Sequence, residues 1–283
     1  MKKDTIGILL TDGPNIGLTH DFFSRIMDSF KREVEKKGYF VNFLISDEKY
    51  LEKHSFLEQV SQRDYAGLFV ANLRFDLPIV QELFDSGYPI TCIDYTRDGI
   101  VGIFSDNETG IRSLITYVAK ECGHKKIAYI TGDLRGPVSR ARLKAFKESC
   151  KEYDCLILPE YIRESTYRNM KMCGRITEEL LALPVPPTCI LYPDDYAAVG
   201  GINIIRNRGL EVPRDISYCG FDGVNMVSLF DPQITTIIQD TYSMGKIAAE
   251  KLIEMIENGT RGDGSYITVP TKLQTGATVK RIY

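Results

Sequence analysis

The chain has 283 residues, enough for two modest domains with a substantial buried core. Its 43% hydrophobic and 26% charged content is ordinary for a globular protein in water. A net charge of −3 offers no basic surface, so direct binding to DNA or to an anionic membrane by these residues is not expected.

Met1-Lys2-Lys3-Asp4 leads, with no apolar stretch of signal-peptide length, into a β-favouring run from Thr5 to Thr11. From Asp21 to Lys37 the residues Phe22, Phe23, Ile26, Met27, Phe30 and Val34 recur at helical spacing, and Gly38 stops the pattern. The alternation continues with a strand from Phe40 to Ser46, a helix from Leu51 to Gln62, a strand from Ala66 to Ala71, a helix from Pro78 to Ser86 and a strand from Ile90 to Asp94. Strands this apolar, separated by amphipathic helices, need cover on both faces, which predicts a parallel sheet in an α/β fold. Ile103 to Asp106 then continues in strand-like fashion, without a Gly/Ser-rich tether, into a second series.

That series has helices at Glu108 to Cys122, Ser139 to Glu152, Tyr167 to Ala182 and Tyr196 to Arg208, and strands at Lys126 to Thr131, Cys189 to Tyr192 and Ile216 to Phe221. A helix from Tyr242 to Asn258, closed by Gly259, and a strand from Tyr266 to Val269 complete the chain. Two αβ lobes of similar size are expected, and periodicity alone leaves open which lobe the late elements join. Seven cysteines, 92, 122, 150, 155, 173, 189 and 219, are dispersed without a CxxC pair. They read as reduced core thiols of a cytoplasmic protein, not as a disulfide framework or a zinc site.

No GxSxG, HExxH, Walker A or GxGxxG pattern occurs, and the three histidines, 20, 54 and 124, are far apart, so no catalytic residue, metal site or cofactor is expected. Thr131 to Pro137 joins a strand to a helix, a place where phosphates bind, yet it lacks the glycines and the lysine of a phosphate loop. Ligands of open α/β sheets bind at the carboxyl ends of strands. The acids at those ends are Asp12, Asp94, Asp194 and Asp222. Carboxylates accept hydrogen bonds from vicinal hydroxyls, a guanidinium donates to them, and aromatic faces pack on C–H surfaces, which is the chemistry of a sugar site. Arg142 is the candidate donor, and Phe22, Phe23, Tyr167 and Phe221 are candidate faces. Blander roles stand beside these: core packing for Phe22 and Phe23, a helix N-cap for Asp194 or Asp195, turns for Asp94 and Asp222. Met226, Val227, Leu229 and Phe230 are either core or an interface between chains.

Several motifs in order carry a resemblance: Thr5-Ile6-Gly7-Ile8-Leu9, Phe22-Phe23, Gly38-Tyr39, Asp106-Asn107 with Gly110, and Gly123-His124-Lys125-Lys126-Ile127-Ala128-Tyr129-Ile130. They are followed by Arg142-x-x-x-Phe146, Val212-Pro213-Arg214-Asp215-Ile216-Ser217, Gly220-Phe221-Asp222 and Thr235-Thr236-Ile237-x-Gln239. With these the chain resembles the effector-binding region of the lac repressor and galactose repressor family of bacterial transcription regulators. The resemblance implies two Rossmann-like lobes with parallel sheets joined by three crossovers, the type I periplasmic-binding-protein-like fold. It divides the chain into residues 1–104 with 241–265 and residues 105–240 with 266–283.

It also implies a small polar effector, usually a sugar and sometimes a nucleobase, in the interlobe cleft, touched by Phe22, Phe23, Asp94, Arg142, Tyr167, Asp194, Phe221, Asp222 and Gln239. Homodimerisation is implied too, and contact with DNA only through a helix-turn-helix headpiece that these residues do not include. Departures from the family's pattern are the Pro14 to His20 loop, which is longer and leaves Asp12 without a counterpart, and an acid at 194 where sugar-binding relatives more often have asparagine. The alternatives are a transport-type sugar-binding protein of the same fold, which predicts an exported monomer, and a sugar-processing enzyme, which predicts a paired general base that the sequence does not name.

Overall fold

The computed structural model describes residues 4–10 and 17–282. Thr5–Leu10 forms β1, and five of its six residues are buried, because a strand with apolar residues at successive positions must hide both faces. The side chains divide by the period of two: Ile6, Ile8 and Leu10 enter one core with Phe30, Val34 and Leu252, while Leu9 enters the other with Phe56, Val60 and Leu83.

The first unit comprises residues 1–105 and 240–269. Its strands β1, β2 (Phe40–Phe43), β3 (Gly67–Ala71), β4 (Ile90–Ile93), β5 (Ile100–Ser105) and β11 (Tyr266–Val269) form one sheet in the order β2-β1-β3-β4-β5-β11, every pair parallel. Helices α1 (Asp21–Lys36) and α9 (Thr241–Asn258) cover one face together. Their close approach requires Gly245, where an added Cβ would lie 2.2 Å from the Ile26 carbonyl oxygen. Helices α3 (Phe56–Gln62) and α4 (Pro78–Phe84) cover the other face.

The second unit comprises residues 106–239 and 270–283. Strands β6 (Ile127–Thr131), β7 (Ile162–Glu164), β8 (Cys189–Leu191) and β9 (Ser217–Cys219) form a parallel sheet in the order β7-β6-β8-β9. Beyond β9, single parallel bridges at Cys219–Thr235 and Asp222–Ile238 attach β10 (Thr236–Gln239), which pairs antiparallel with β12 (Thr271–Gln274). Helices α5 (Asn107–Ile115) and α6 (Pro137–Glu152) cover one face, and α7 (Met170–Leu181) with α8 (Asp195–Asn207) the other. Both units thus begin with the same strand order, second-first-third-fourth. The order reverses between β1 and β3 in one and between β6 and β8 in the other, and such reversals are where doubly wound sheets bind ligands.

The structure differs from the sequence reading at five places. Tyr266–Val269 was expected in the second lobe with everything after 265, and it instead extends the first sheet beside β5. A four-residue strand carries no local mark of which sheet edge completes its hydrogen bonds. The helix expected from Leu51 to Gln62 is two, α2 (Glu48–Leu51) and α3, because Ser55 opens the second with a capping box. Its hydroxyl accepts the Glu58 N–H at 3.1 Å, and the Glu58 carboxylate accepts the Ser55 N–H at 3.0 Å. The helix expected from Glu108 to Cys122 passes at Thr116–Glu121 into a π-helical turn. The strand β7 and the pairing strand β12 were not foreseen. Of the residues read as core or interface, Val227 is buried, Met226 and Phe230 pack partly on the core, and Leu229 is exposed.

Candidate functional site

Helix α6 begins at Pro137, whose fixed φ suits the first helical position. Its buried face runs through Ser139, Arg142, Ala145, Phe146 and Ser149, so Arg142 stands at a core position by spacing while carrying a full charge. It is 3% exposed. A guanidinium there must find compensation. Its Nε donates to Asn107 Oδ1 at 2.7 Å, and Nη1 donates to the Pro193 carbonyl at 3.1 Å. Its carbon stands 3.6 Å from the centroid of the Phe221 ring, a cation–π arrangement, and Nη2 is 3.9 Å from Asp222 Oδ1.

Asp222 follows β9 with φ of +101°, a backbone conformation that few side chains adopt. Hydrogen bonds hold it there: its N–H reaches the Ile237 carbonyl at 2.9 Å, and its carbonyl accepts from the Gln239 N–H at 3.2 Å. The Gln239 side chain donates to Asp222 Oδ1 at 2.6 Å. Burial pushes the Asp222 carboxyl well above the usual range; Arg142 opposes that shift, and the charges of Asp194 and Asp195 add to it.

Asp194, fully buried, caps α8. Its Oδ1 accepts the Ala197 N–H and its Oδ2 accepts the Arg168 N–H, both at 2.7 Å. Burial raises its pKa, and these backbone donors oppose the rise. Asp195 is buried beside it, accepting from the Thr236 hydroxyl at 2.7 Å and the Val224 N–H at 3.1 Å. Burial pushes its carboxyl up to about 7. Tyr167, 37% exposed, shares a hydrogen bond of 2.8 Å with Ser139 Oγ. Its ring closes over Gly132, where an added Cβ would lie 2.5 Å from the ring carbon Cζ.

Arg142, Tyr167, Asp194, Phe221, Asp222 and Gln239 are therefore brought together in one unit. A fixed donor stands beside a strong acceptor, over an aromatic face, in an environment that strengthens both. Such a set matches adjacent hydroxyl groups, which accept from the guanidinium and donate to the carboxylate.

In the first unit, Phe22 lies buried in the core and Phe23 packs partly against it. The two rings meet edge to face at 5.0 Å, and His20 meets Phe23 at 4.8 Å. Asp94, half-buried, follows β4 with φ of +61° and donates its N–H to the Ile103 carbonyl at 3.0 Å. Asp12 lies outside the described residues. Sequence reasoning missed Asn107 as the residue that orients Arg142, although Asp106-Asn107 was among its motifs. Among the described residues no group of three or more His, Cys, Asp or Glu side chains is placed to hold a metal ion. None of the described helices is long and apolar enough to cross a membrane.

The periplasmic binding protein-like domain family matches residues 119–279. The repressor CytR of Escherichia coli K12 is 26% identical over 270 residues, covering 94% of this chain and 77% of that protein. The ribose operon repressor of Haemophilus influenzae is 29% identical over 278 residues, covering 95% of this chain and 80% of its own length. A crystal structure of a LacI transcriptional regulator from Bacillus cereus superposes with a TM-score of 0.88 at 25% identity, covering 99% of this chain and all of that one. With its strand order and this family match, the chain belongs to the periplasmic binding protein-like domain family, as an effector-binding domain of the LacI-family transcription regulators.

Proposed function

We propose that this domain senses a hydroxyl-rich small molecule, a carbohydrate, through Arg142 and Asp222, with Gln239, Phe221 and Tyr167 completing the contact and Asp194 fixing the strand end behind them. Phe22, Phe23 and Asp94 of the first unit contribute further contacts. The observation that carries the reading is a single buried guanidinium stacked 3.6 Å over Phe221 and set 3.9 Å from the Asp222 carboxylate. A guanidinium fixed in this way presents a charged donor beside a carboxyl acceptor and over an aromatic face, the set of groups that adjacent hydroxyls engage. The relatives are transcriptional repressors, among them one of a ribose operon, which favours a regulatory sensor over a transport-type binding protein.

In this reading an effector that binds one conformation of the domain better than another shifts the population toward it. A helix-turn-helix headpiece reads the shift on DNA, and the working protein is a cytoplasmic homodimer. A thermal-shift screen of the purified protein against pentoses, hexoses, disaccharides, sugar phosphates and nucleobases tests it. A ligand at a hundredfold its dissociation constant adds about 2.7 kcal/mol. A carbohydrate hit whose thermal shift shrinks in Asp222→Asn supports the proposal. A screen in which only nucleobases shift the melting curve overturns the carbohydrate assignment.

A further inference from the structure

Helix α6 ends in a left-handed cap. Asp154 has φ of +51°. The Asp154 N–H reaches the Lys151 carbonyl at 3.4 Å, and the Cys155 N–H reaches back to the Cys150 carbonyl at 2.8 Å. This pair of bonds is the Schellman motif, which folds the residue after the cap against the last helical turn, so that the side chains at the two ends of the longer bond meet. Apolar residues usually make that contact. Here both positions are cysteines.

Cys150 is buried on the core face of α6, in the same cluster as Phe146, Cys122, Cys189 and Cys219. Cys155 is half-buried, with its Sγ 3.8 Å from the His124 carbonyl oxygen and 3.9 Å from that of Tyr153. The other six cysteines are all buried. We propose that Cys150 and Cys155 form a peroxide-reactive dithiol, in which Cys155 reacts first and Cys150 resolves it to an intramolecular disulfide. The backbone bond from Cys155 to Cys150 already brings the two residues together, the requirement that most cysteine pairs fail. The neighbouring Cys150 thiol, with the nearby Lys125 ammonium, favours the Cys155 thiolate against the opposing effects of burial and of Asp154.

The chemistry balances with a hydroperoxide as oxidant. The Cys155 thiolate attacks one peroxide oxygen, the O–O bond breaks, hydroxide leaves, and Cys155 becomes a sulfenic acid. The Cys150 sulfur then attacks the Cys155 sulfur, the S–O bond breaks, and the Cys150 proton leaves with the departing hydroxide as water. The two sulfurs together lose the two electrons that the peroxide gains. Since the turn is preformed, closure staples the end of α6 without unwinding it.

Reduced protein treated with stoichiometric hydrogen peroxide, then denatured, blocked with N-ethylmaleimide and digested with trypsin, tests this. Cleavage after Lys151 separates the two cysteines, so the expected product is Glu148–Lys151 linked by a disulfide to Glu152–Arg163, with five of the seven thiols still alkylated. In Cys150→Ala, Cys155 is expected to be trapped by dimedone as a sulfenic acid; in Cys155→Ser, Cys150 is expected to stay reduced. The wild-type digest stands whether or not either variant folds. Seven alkylated thiols after treatment, a Cys155 disulfide to a second chain, or a link from Cys155 to any cysteine other than Cys150 would overturn the proposal.

Discussion

The two units begin with one strand order and differ in what stands at the strand ends. Asp94 follows β4 and Asp222 follows β9, the corresponding strands of the two sheets, and both residues take positive φ. The backbone solution is shared, yet the chemistry around it is not. Asp94 is half-buried in a unit whose candidate ligand contacts are otherwise the rings of Phe22 and Phe23. Asp222 is buried with Asp194 and Asp195 near one guanidinium. Topology therefore supplies a position for a site, and the side chains delivered there decide its chemistry.

The strongest way to break this contrast is Arg142→Ala. Removing the cation leaves the neighbouring acids uncompensated, so stability in urea is expected to fall by about 3–5 kcal/mol, with carbohydrate binding lost. Phe23→Ala in the first unit is expected to weaken binding without a comparable loss of stability. Wild-type stability in Arg142→Ala would mean that the acids do not depend on the guanidinium.

Proton linkage sharpens the same point. Asp195, pushed up to about 7, keeps its proton in the folded state at pH values where the unfolded chain, near 3.9, has lost it. The folded state then binds more protons, so stability is expected to fall as pH rises from about 4 to about 7, by on the order of 4 kcal/mol at most. Asp194 and Asp222 shift in the same direction. Denaturant midpoints measured at pH 5, 6, 7 and 8 check this, and a midpoint that rises through that window would contradict it.

Asp222→Asn keeps the side-chain shape and tolerates positive φ, while replacing one carboxyl oxygen acceptor by an amide donor. Carbohydrate affinity by calorimetry is expected to fall by about 10- to 100-fold, equivalent to about 1.4–2.7 kcal/mol, with the melting temperature unchanged or raised. The smallest effect belongs to the first unit. Ser55→Ala removes the capping box of α3 and is expected to cost about 1 kcal/mol of stability while leaving ligand affinity intact. A loss of affinity in that variant would mean that α3 bears on the site.

Much of the fold was legible because its signals are local. Helical spacing marked α1, α6 and α9, and strands buried on both faces announced parallel sheets before any pairing was known. Arg142 could be singled out as a charge on a helix that leads from one strand to the next, and Asp222 as an acid at a strand end. Where each lone pair goes is not a local property. Asp194 looked equally like a ligand contact and a helix cap, and the fold placed two backbone N–H groups against its oxygens. Asn107 is 35 positions from the arginine it orients, beyond the reach of any periodicity.

By itself, then, the sequence determined the alternation of elements, the buried character of the strands and the residue types available at their ends, since these follow from spacing and side-chain chemistry within a few turns. Tertiary structure alone decided that Tyr266–Val269 completes the first sheet, that one guanidinium stands beside Asp222, and that Asn107 orients it. Each of those outcomes is a choice among hydrogen-bond partners and packing neighbours, and only the folded chain brings those partners within reach.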